Sequence, residues 1–189
     1  MFRALGKLIS QDKRFAFGFI VMAVLVLMGF LSYSSPYDSR QWNVVPRDRP
    51  PSTKYILGTT STGQDVFWQA TFAIRNTLFM GIVAMISSRI VAVAVGLLAG
   101  YRGGMMDRIL MIFTDSFVIL PLLPILILVA SILRSSLSVV TLGILLGVFG
   151  WAWDARLIRS QVLSLREREF TYTAVLSGMS TSRIIFREY

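Results

Sequence analysis

The chain has 189 residues, 54% of them hydrophobic and only 15% charged, and its mean hydropathy is +0.65. Soluble domains carry roughly a quarter charged residues, so an ordinary globular class is excluded and several membrane spans are expected. The net charge of +9 fits the Lys and Arg excess of cytoplasmic loops better than a nucleic-acid partner, and the absence of His and Cys removes the commonest general base, the commonest metal ligand and every disulfide.

Residues 1–14 form a short basic N-terminus in which Arg3, Lys7, Lys13 and Arg14 face one acid, Asp12. Residues 15–31 follow without a charge, at the lower limit for a spanning helix. A cleavable leader shares this layout, with Ser32, Tyr33 and Ser34 at the cleavage position, but further spans follow. The segment is therefore taken as the first transmembrane helix. Residues 32–77 make a polar connection holding Pro36, Pro46, Pro50 and Pro51, too rich in proline for a long helix. Within it, Gly58 and Gly63 mark turns of a surface loop, and Asp65 is placed to cap a helix starting near Val66.

The second span covers 78–101 and is interrupted in charge only by Arg89. Gly103 and Gly104 turn the chain into a third span, 109–133, which contains Asp115, Pro121 and Pro124. A fourth, 137–153, ends on Trp151 and Trp153, where aromatic belts sit. Residues 154–189 are polar and charged again. Twelve Lys and Arg lie in the N-terminus, the 102–108 turn and the 154–189 tail, against six in the 36–76 loop and the 134–136 turn. That bias places both the N-terminus and the tail in the cytoplasm, with four crossings.

Ala92, Gly96 and Gly100 recur every four residues in the second span, as do Gly143 and Gly147 in the fourth. Such stripes let another helix approach closely. Arg89 lies mid-span, where insertion costs about 2.5–3.5 kcal/mol, so it should face protein or water rather than lipid. Asp115 is the one carboxylate inside a span, but its depth differs from that of Arg89 by about 9 Å. A direct pair would require snorkelling, and a water-contacting Arg89 is the other possibility. Pro121 and Pro124 each remove a helical hydrogen bond, so the third span should kink or break there. With no His or Cys, and no second acid in the spans, an intramembrane enzyme has no acid–base pair to work with.

In the tail, Ile158, Val162 and Leu165 repeat at helical spacing while Arg156, Arg159, Arg166 and Arg168 take other positions. This pattern suits a helix continuing into the headgroup region, and anionic lipid contact alone would account for the charges. It would not account for the break at Gly178, after which Ser180 or Thr181 can cap a second short helix.

These residues resemble the second permease subunit of dipeptide, oligopeptide and nickel ABC importers over nearly all 189 positions. The family's loop reads leucine-glycine-threonine-aspartate, two variable residues, then glycine-arginine-aspartate-valine. Here Leu57-Gly58-Thr59-Thr60 and Gly63-Gln64-Asp65-Val66 stand in that place. Gly100-Tyr101-Arg102-Gly103-Gly104 with Asp107-Arg108 fits, as do Asp115 six residues before Pro121 and the run from Ala155 to Leu163. The family's cytoplasmic signature, glutamate-alanine-alanine, three variable residues and glycine, falls on Tyr172, Thr173, Ala174 and Gly178; only the last two agree, with Glu169 just before.

The resemblance implies an all-α membrane helix bundle of the type I ABC importer permease kind, with four spans of an expected six, the coupling region incomplete. It also implies a multi-pass inner-membrane subunit that contacts lipid, a second permease subunit, two cytosolic ATPases and an extracytoplasmic solute-binding protein. ATP and Mg would sit on the ATPases, with no cofactor, metal or nucleic acid on this chain. Glu169, Tyr172, Thr173, Ala174 and Gly178 would couple to the ATPases. Arg89, Gly96, Gly100, Asp115 and Pro121 are candidates for the pathway or for helix packing. The alternative is a channel or secondary transporter that uses Arg89 and Asp115 as its polar path. No Gly-rich phosphate loop followed by Lys-Ser or Lys-Thr is present.

Overall fold

The computed structural model describes residues 12–38, 40–133, 137–180 and 183–184. Arg3, Lys7, Arg134 and Thr181 lie outside the described residues. Among the described residues there are six α-helices: α1 Lys13–Leu31, α2 Val66–Arg102, α3 Gly104–Ile119, α4 Leu122–Ile132, α5 Val139–Arg166 and α6 Glu169–Leu176. Three of these, α1 with its 3₁₀ extension to Ser34, α2 and α5, are long and apolar enough to cross a membrane, and α3 with α4 makes a fourth if the bent pair is one span. The chain is an all-α, multi-pass membrane protein. It divides into two compact units, Met1–Phe79 and Met80–Tyr189.

In the first unit, the Asp12 carboxylate accepts the backbone N–H groups of Arg14 and Phe15 and so starts α1. Near its far end, Gly29 lets the α2 backbone at Arg75 approach, a Cβ there standing 3.6 Å from the Arg75 Cα. The Arg75 guanidinium lies over the Tyr33 and Phe72 rings, at 5.0 and 4.8 Å.

The connection between α1 and α2 is more ordered than turn chemistry alone suggests. Val44 and Val45 donate to the Gly63 carbonyl, Asn43 donates to Thr62, and Thr59 donates to Arg49. The buried Thr59 hydroxyl accepts from the Arg49 N–H and donates to the Pro46 carbonyl. Two glycines make this possible. Gly58 and Gly63 have positive φ (77° and 71°), and a Cβ would meet the Arg49 oxygen at 2.6 Å and the Val45 oxygen at 2.9 Å.

Asp65 closes the loop as expected, accepting the N–H groups of Phe67 (2.9 Å) and Trp68 (3.3 Å) at the start of α2. The helix then continues unbroken for 37 residues, so 66–77 are helical and the polar connection is shorter than the expected 32–77. No breaker follows the cap, and nothing stops propagation until Gly103. Asp65→Ala should cost about 1 kcal/mol by stranding these N–H groups, measurable as a lowered unfolding midpoint of the purified chain in detergent.

In the second unit α5 is central. Its contacts with α2 pair residues whose numbers rise together: Gly143 with Met80 and Val83, Gly147 with Ala84 and Ser87, Gly96 with Ala155 and Ile158, Gly100 with Arg159 and Val162. The two helices are therefore parallel. Against α3 the numbers run oppositely, since Phe117 meets Phe149 and Trp151 while Asp107 meets Arg159. Trp151, Ala152 and Ala155 are buried with Ala92, and Val95, Phe117, Val118 and Ile158 pack around them. The stripes of small residues thus contact each other's helices, as their spacing predicts.

The third span breaks outright. Leu120 precedes proline, is extended (φ −64°, ψ 130°), and α3 and α4 meet there at a 77° bend. Pro124 adds no second break, because it lies in the first turn of α4, where its N–H would have no helical partner. At 11 residues α4 spans about 16 Å, too little to cross a bilayer alone. The helix of the fourth expected span, α5, does not stop at Trp153 either. It runs to Arg166, so Asp154, Arg156 and Arg159 are helical residues carried on the same rod as the apolar ones.

Candidate functional site

Two features stand out where α5 nears its C-terminal end. The first is the short helix α6. After α5 the chain turns at Glu167 and Arg168, with Arg168 donating to the Leu165 carbonyl. The buried Thr171 hydroxyl also donates to that carbonyl (2.8 Å), which ties α6 back onto the end of α5. Glu169 stands in the first turn, where a carboxylate favours the helix dipole. Gly178 ends the segment with φ +74°, Met179 donating to Ala174 and Ser177 donating to Thr173. This is a left-handed helix stop that a glycine makes without strain.

Thr171 and Ala174, three residues apart, are turned inward. The outward face carries Phe170, Tyr172, Thr173 and Leu176, with Leu176 88% exposed. Of the five coupling candidates, Glu169, Tyr172 and Thr173 are on the surface, Ala174 seats the helix, and Gly178 shapes its end. Phe170, Thr173, Ala174, Ser177 and Met179 line one shallow concavity beside it. Ser180 accepts the Ile184 N–H (3.0 Å), and Ile184 is buried.

The second feature is a set of ion pairs along α5. Asp154 and Arg156 are two positions apart, about 200° around the helix, so they point to opposite neighbours; Arg159 comes back to within about 60° of Arg156. Accordingly, Asp154 pairs with Arg89 on α2 at 3.0 Å, with the Ser88 hydroxyl near its other oxygen at 3.5 Å. Arg156 pairs with Asp115 on α3 at 2.5 Å and lies over the Trp153 ring. Arg159 grips Asp107 through both carboxylate oxygens, at 2.5 and 2.6 Å. Further along, Arg166 donates to the Tyr101 carbonyl at 3.1 Å, placing a cation at the C-terminal end of α2.

Arg89 and Asp115 therefore do not pair with each other, as a polar path built from the two would have it. Each is neutralised by a different residue of α5. Asp154 follows directly on the apolar run of the fourth span, so the sequence alone places it in the tail and leaves it unconnected to Arg89. The helical offsets 154, 156 and 159 carried the signal, once α5 is drawn without a stop at Trp153. Gly96 and Gly100 are helix-packing positions against α5, and Pro121 is the break between α3 and α4. Among the described residues no group of three acidic, His or Cys side chains could hold a metal ion.

The family model for the binding-protein-dependent transport system inner membrane component matches residues 92–189, which include the whole ion-paired part of α5 and all of α6. The chain is 34% identical over 170 residues to the oligopeptide transport system permease protein OppC of Mycobacterium tuberculosis, covering 87% of this chain and 58% of that protein. It is 32% identical over 178 residues to the protein of that name in Bacillus subtilis (94% of this chain, 58% of the relative). With the nickel transport system permease protein NikC of Escherichia coli the identity is 31% over 166 residues (87% and 59%). The chain thus spans a little under three-fifths of the length of these relatives.

Proposed function

The chain belongs to the binding-protein-dependent transport system inner membrane component family, and from that premise we propose that it is a permease subunit of an ABC importer for peptides or similar solutes. In this role it catalyses no reaction and binds no nucleotide. ATP and Mg are held by two cytosolic ATPases, a second permease subunit completes the pathway, and an extracytoplasmic binding protein delivers the solute. Both the N-terminus and α6 face the cytoplasm.

The observation that carries this reading is α6: eight residues on the end of α5, fixed by Thr171 and ended by Gly178, that expose Phe170, Tyr172 and Leu176 directly after the charged run from Arg166 to Glu169. Apolar groups displayed on a rigid, polar-flanked projection suit a soluble partner better than lipid or water. ATP-driven closure of the ATPases would push on this helix and so switch the access of the pathway.

Gly178→Arg tests it. Open space surrounds the glycine, so the arginine fits; the positive φ is what an L-residue resists, at about 1–2 kcal/mol. The end of α6 should refold or fray, abolishing co-purification of the ATPases while membrane insertion persists. Leu176→Glu, at an exposed position, should have the same effect without backbone strain. Undiminished ATPase binding by both variants would overturn the reading. Because the chain has no cysteine, Leu176→Cys also reports sidedness through a membrane-impermeant maleimide, with labelling expected only from the cytoplasmic face.

A further inference from the structure

We propose that the Arg89–Asp154 pair is a register lock that makes α6 and α2 move as one body, with Asp154 as a positioning residue for transport. The inference rests on the proposed coupling role of α6 and adds how a push on α6 reaches a helix it does not adjoin in sequence.

The α2–α5 contact is built on small side chains: Ala92, Gly96 and Gly100 on one helix, and Gly143, Gly147, Ala152 and Ala155 on the other. Such a surface permits close approach but holds register weakly, because apolar contact is non-directional and a four-residue stripe nearly repeats itself after one turn. The glycines receive Val83, Ser87, Ile158 and Val162, and a slip of one turn, about 5.4 Å, would still set Val162 opposite Gly96 or Ile158 opposite Gly100. It would also carry the Asp154 oxygen far beyond the 3.0 Å that joins it to Arg89. Two charges would then be stranded within helices that span the membrane, where unpaired ionised groups are costly.

The other two pairs cannot replace this one. Arg156 and Arg159 both reach α3, so they fix α5 against α3 and not against α2. The exposed hydrogen bond from Arg166 to the Tyr101 carbonyl also ties α5 to α2, but it sits at the last turns of both helices and joins no second charge. Arg89–Asp154 is the one ion pair joining α2 to α5 among the described residues. Ser88, one residue before Arg89, adds its hydroxyl to the same carboxylate and directs its second oxygen. Without the lock, the stroke applied to α6 would be absorbed by sliding of α5 along α2, and ATP would be consumed without solute moving.

The test is a charge exchange in the complete transporter, read as solute uptake per ATP hydrolysed. Asp154→Ala should insert and bind the ATPases, yet uptake per ATP should fall about 10-fold, a coupling loss in the range that such positions carry. The double variant Arg89→Asp with Asp154→Arg re-forms the pair in reverse and should recover to within about 3-fold of the unaltered chain. Undiminished uptake per ATP in Asp154→Ala would overturn the proposal, as would an inserted exchange variant performing no better than the single ones. Thermal unfolding of the purified chain in detergent reads the pair without any ATPase. If the unaltered chain bound no ATPase, the coupling role would fail while restoration of the unfolding midpoint by the exchange would still be measurable.

Discussion

Replacing Gly96 by leucine should separate α5 from α2 and leave the second unit unable to form its native packing. A single methyl at this position would stand 2.8 Å from both the Ala155 carbonyl oxygen and the Ile158 Cβ, closer than real Cβ atoms come to anything. The oxygen belongs to a helix backbone and cannot rotate away, so the helices must part. Parting them strips contacts from the core around Ala92, Ala152 and Ala155 and stretches the Arg89–Asp154 pair. Overpacking of this kind costs about 3 kcal/mol at the upper end of the usual range. Gly81 supplies an internal control on the same helix, since a Cβ there has nothing within 4 Å. Gly81→Leu should be tolerated, and it should stabilise the helix slightly, because glycine costs about 1 kcal/mol in a helix interior. Unfolding midpoints and protease resistance in detergent separate the two. Equal effects at both positions would show that helix composition, not helix approach, governs stability.

Removal of one charge from the Arg159–Asp107 pair should be worse than removal of both. The pair is the most enclosed of the three, with side chains 30% and 18% exposed, and Arg159 engages both oxygens of its partner. Asp107→Leu leaves the half-buried Arg159 guanidinium without its bidentate partner, a loss of about 1–2 kcal/mol, below that of a fully buried pair because water and Asp115 remain in reach. In Asp107→Leu with Arg159→Leu no charge is stranded, and stability should return to within about 1 kcal/mol of the unaltered chain. Denaturant titration of the four chains of this cycle gives the coupling directly. A double variant as unstable as the sum of the two single ones would mean that the residues act independently.

A third check distinguishes α6 as a docking surface from α6 as packing. Ala174 is buried and Tyr172 is exposed, although both fall in the segment that resembles the family's coupling signature. Ala174→Leu should therefore lower stability, while Tyr172→Ala should leave stability unchanged and weaken the ATPase complex. The opposite assignment would require α6 to be turned over.

The comparison between sequence and structure is most instructive where helices were expected to end. The cap at Asp65, the turn at Gly103–Gly104, the break at Pro121 and the stop at Gly178 are all written in single residues whose backbone preferences act locally. No such residue stands at 154, and the expected end of the fourth span there rests on Trp151 and Trp153 and on the charges that follow them. Charge marks depth in a membrane only when nothing neutralises it, and here neighbours on α2 and α3 do so. Order in the 36–65 loop is likewise invisible to local rules. Proline content argues against a helix, but it says nothing of the cross-connections among Thr59, Gly63 and Arg49, which depend on residues 10 or more positions apart.

By itself, then, the amino-acid order determined that the chain is an all-α membrane protein, where Asp65 caps a helix and Pro121 breaks one, and which faces are smooth enough for another helix to approach. These properties depend on hydrophobicity and on backbone preference, and each acts within a few residues. Tertiary structure alone decided the partners: Asp154 rather than Asp115 for Arg89, α2 parallel to α5, Ala174 inward and Tyr172 outward. Pairing between charges depends on where rods of different origin come to lie beside one another, and no local rule carries that information.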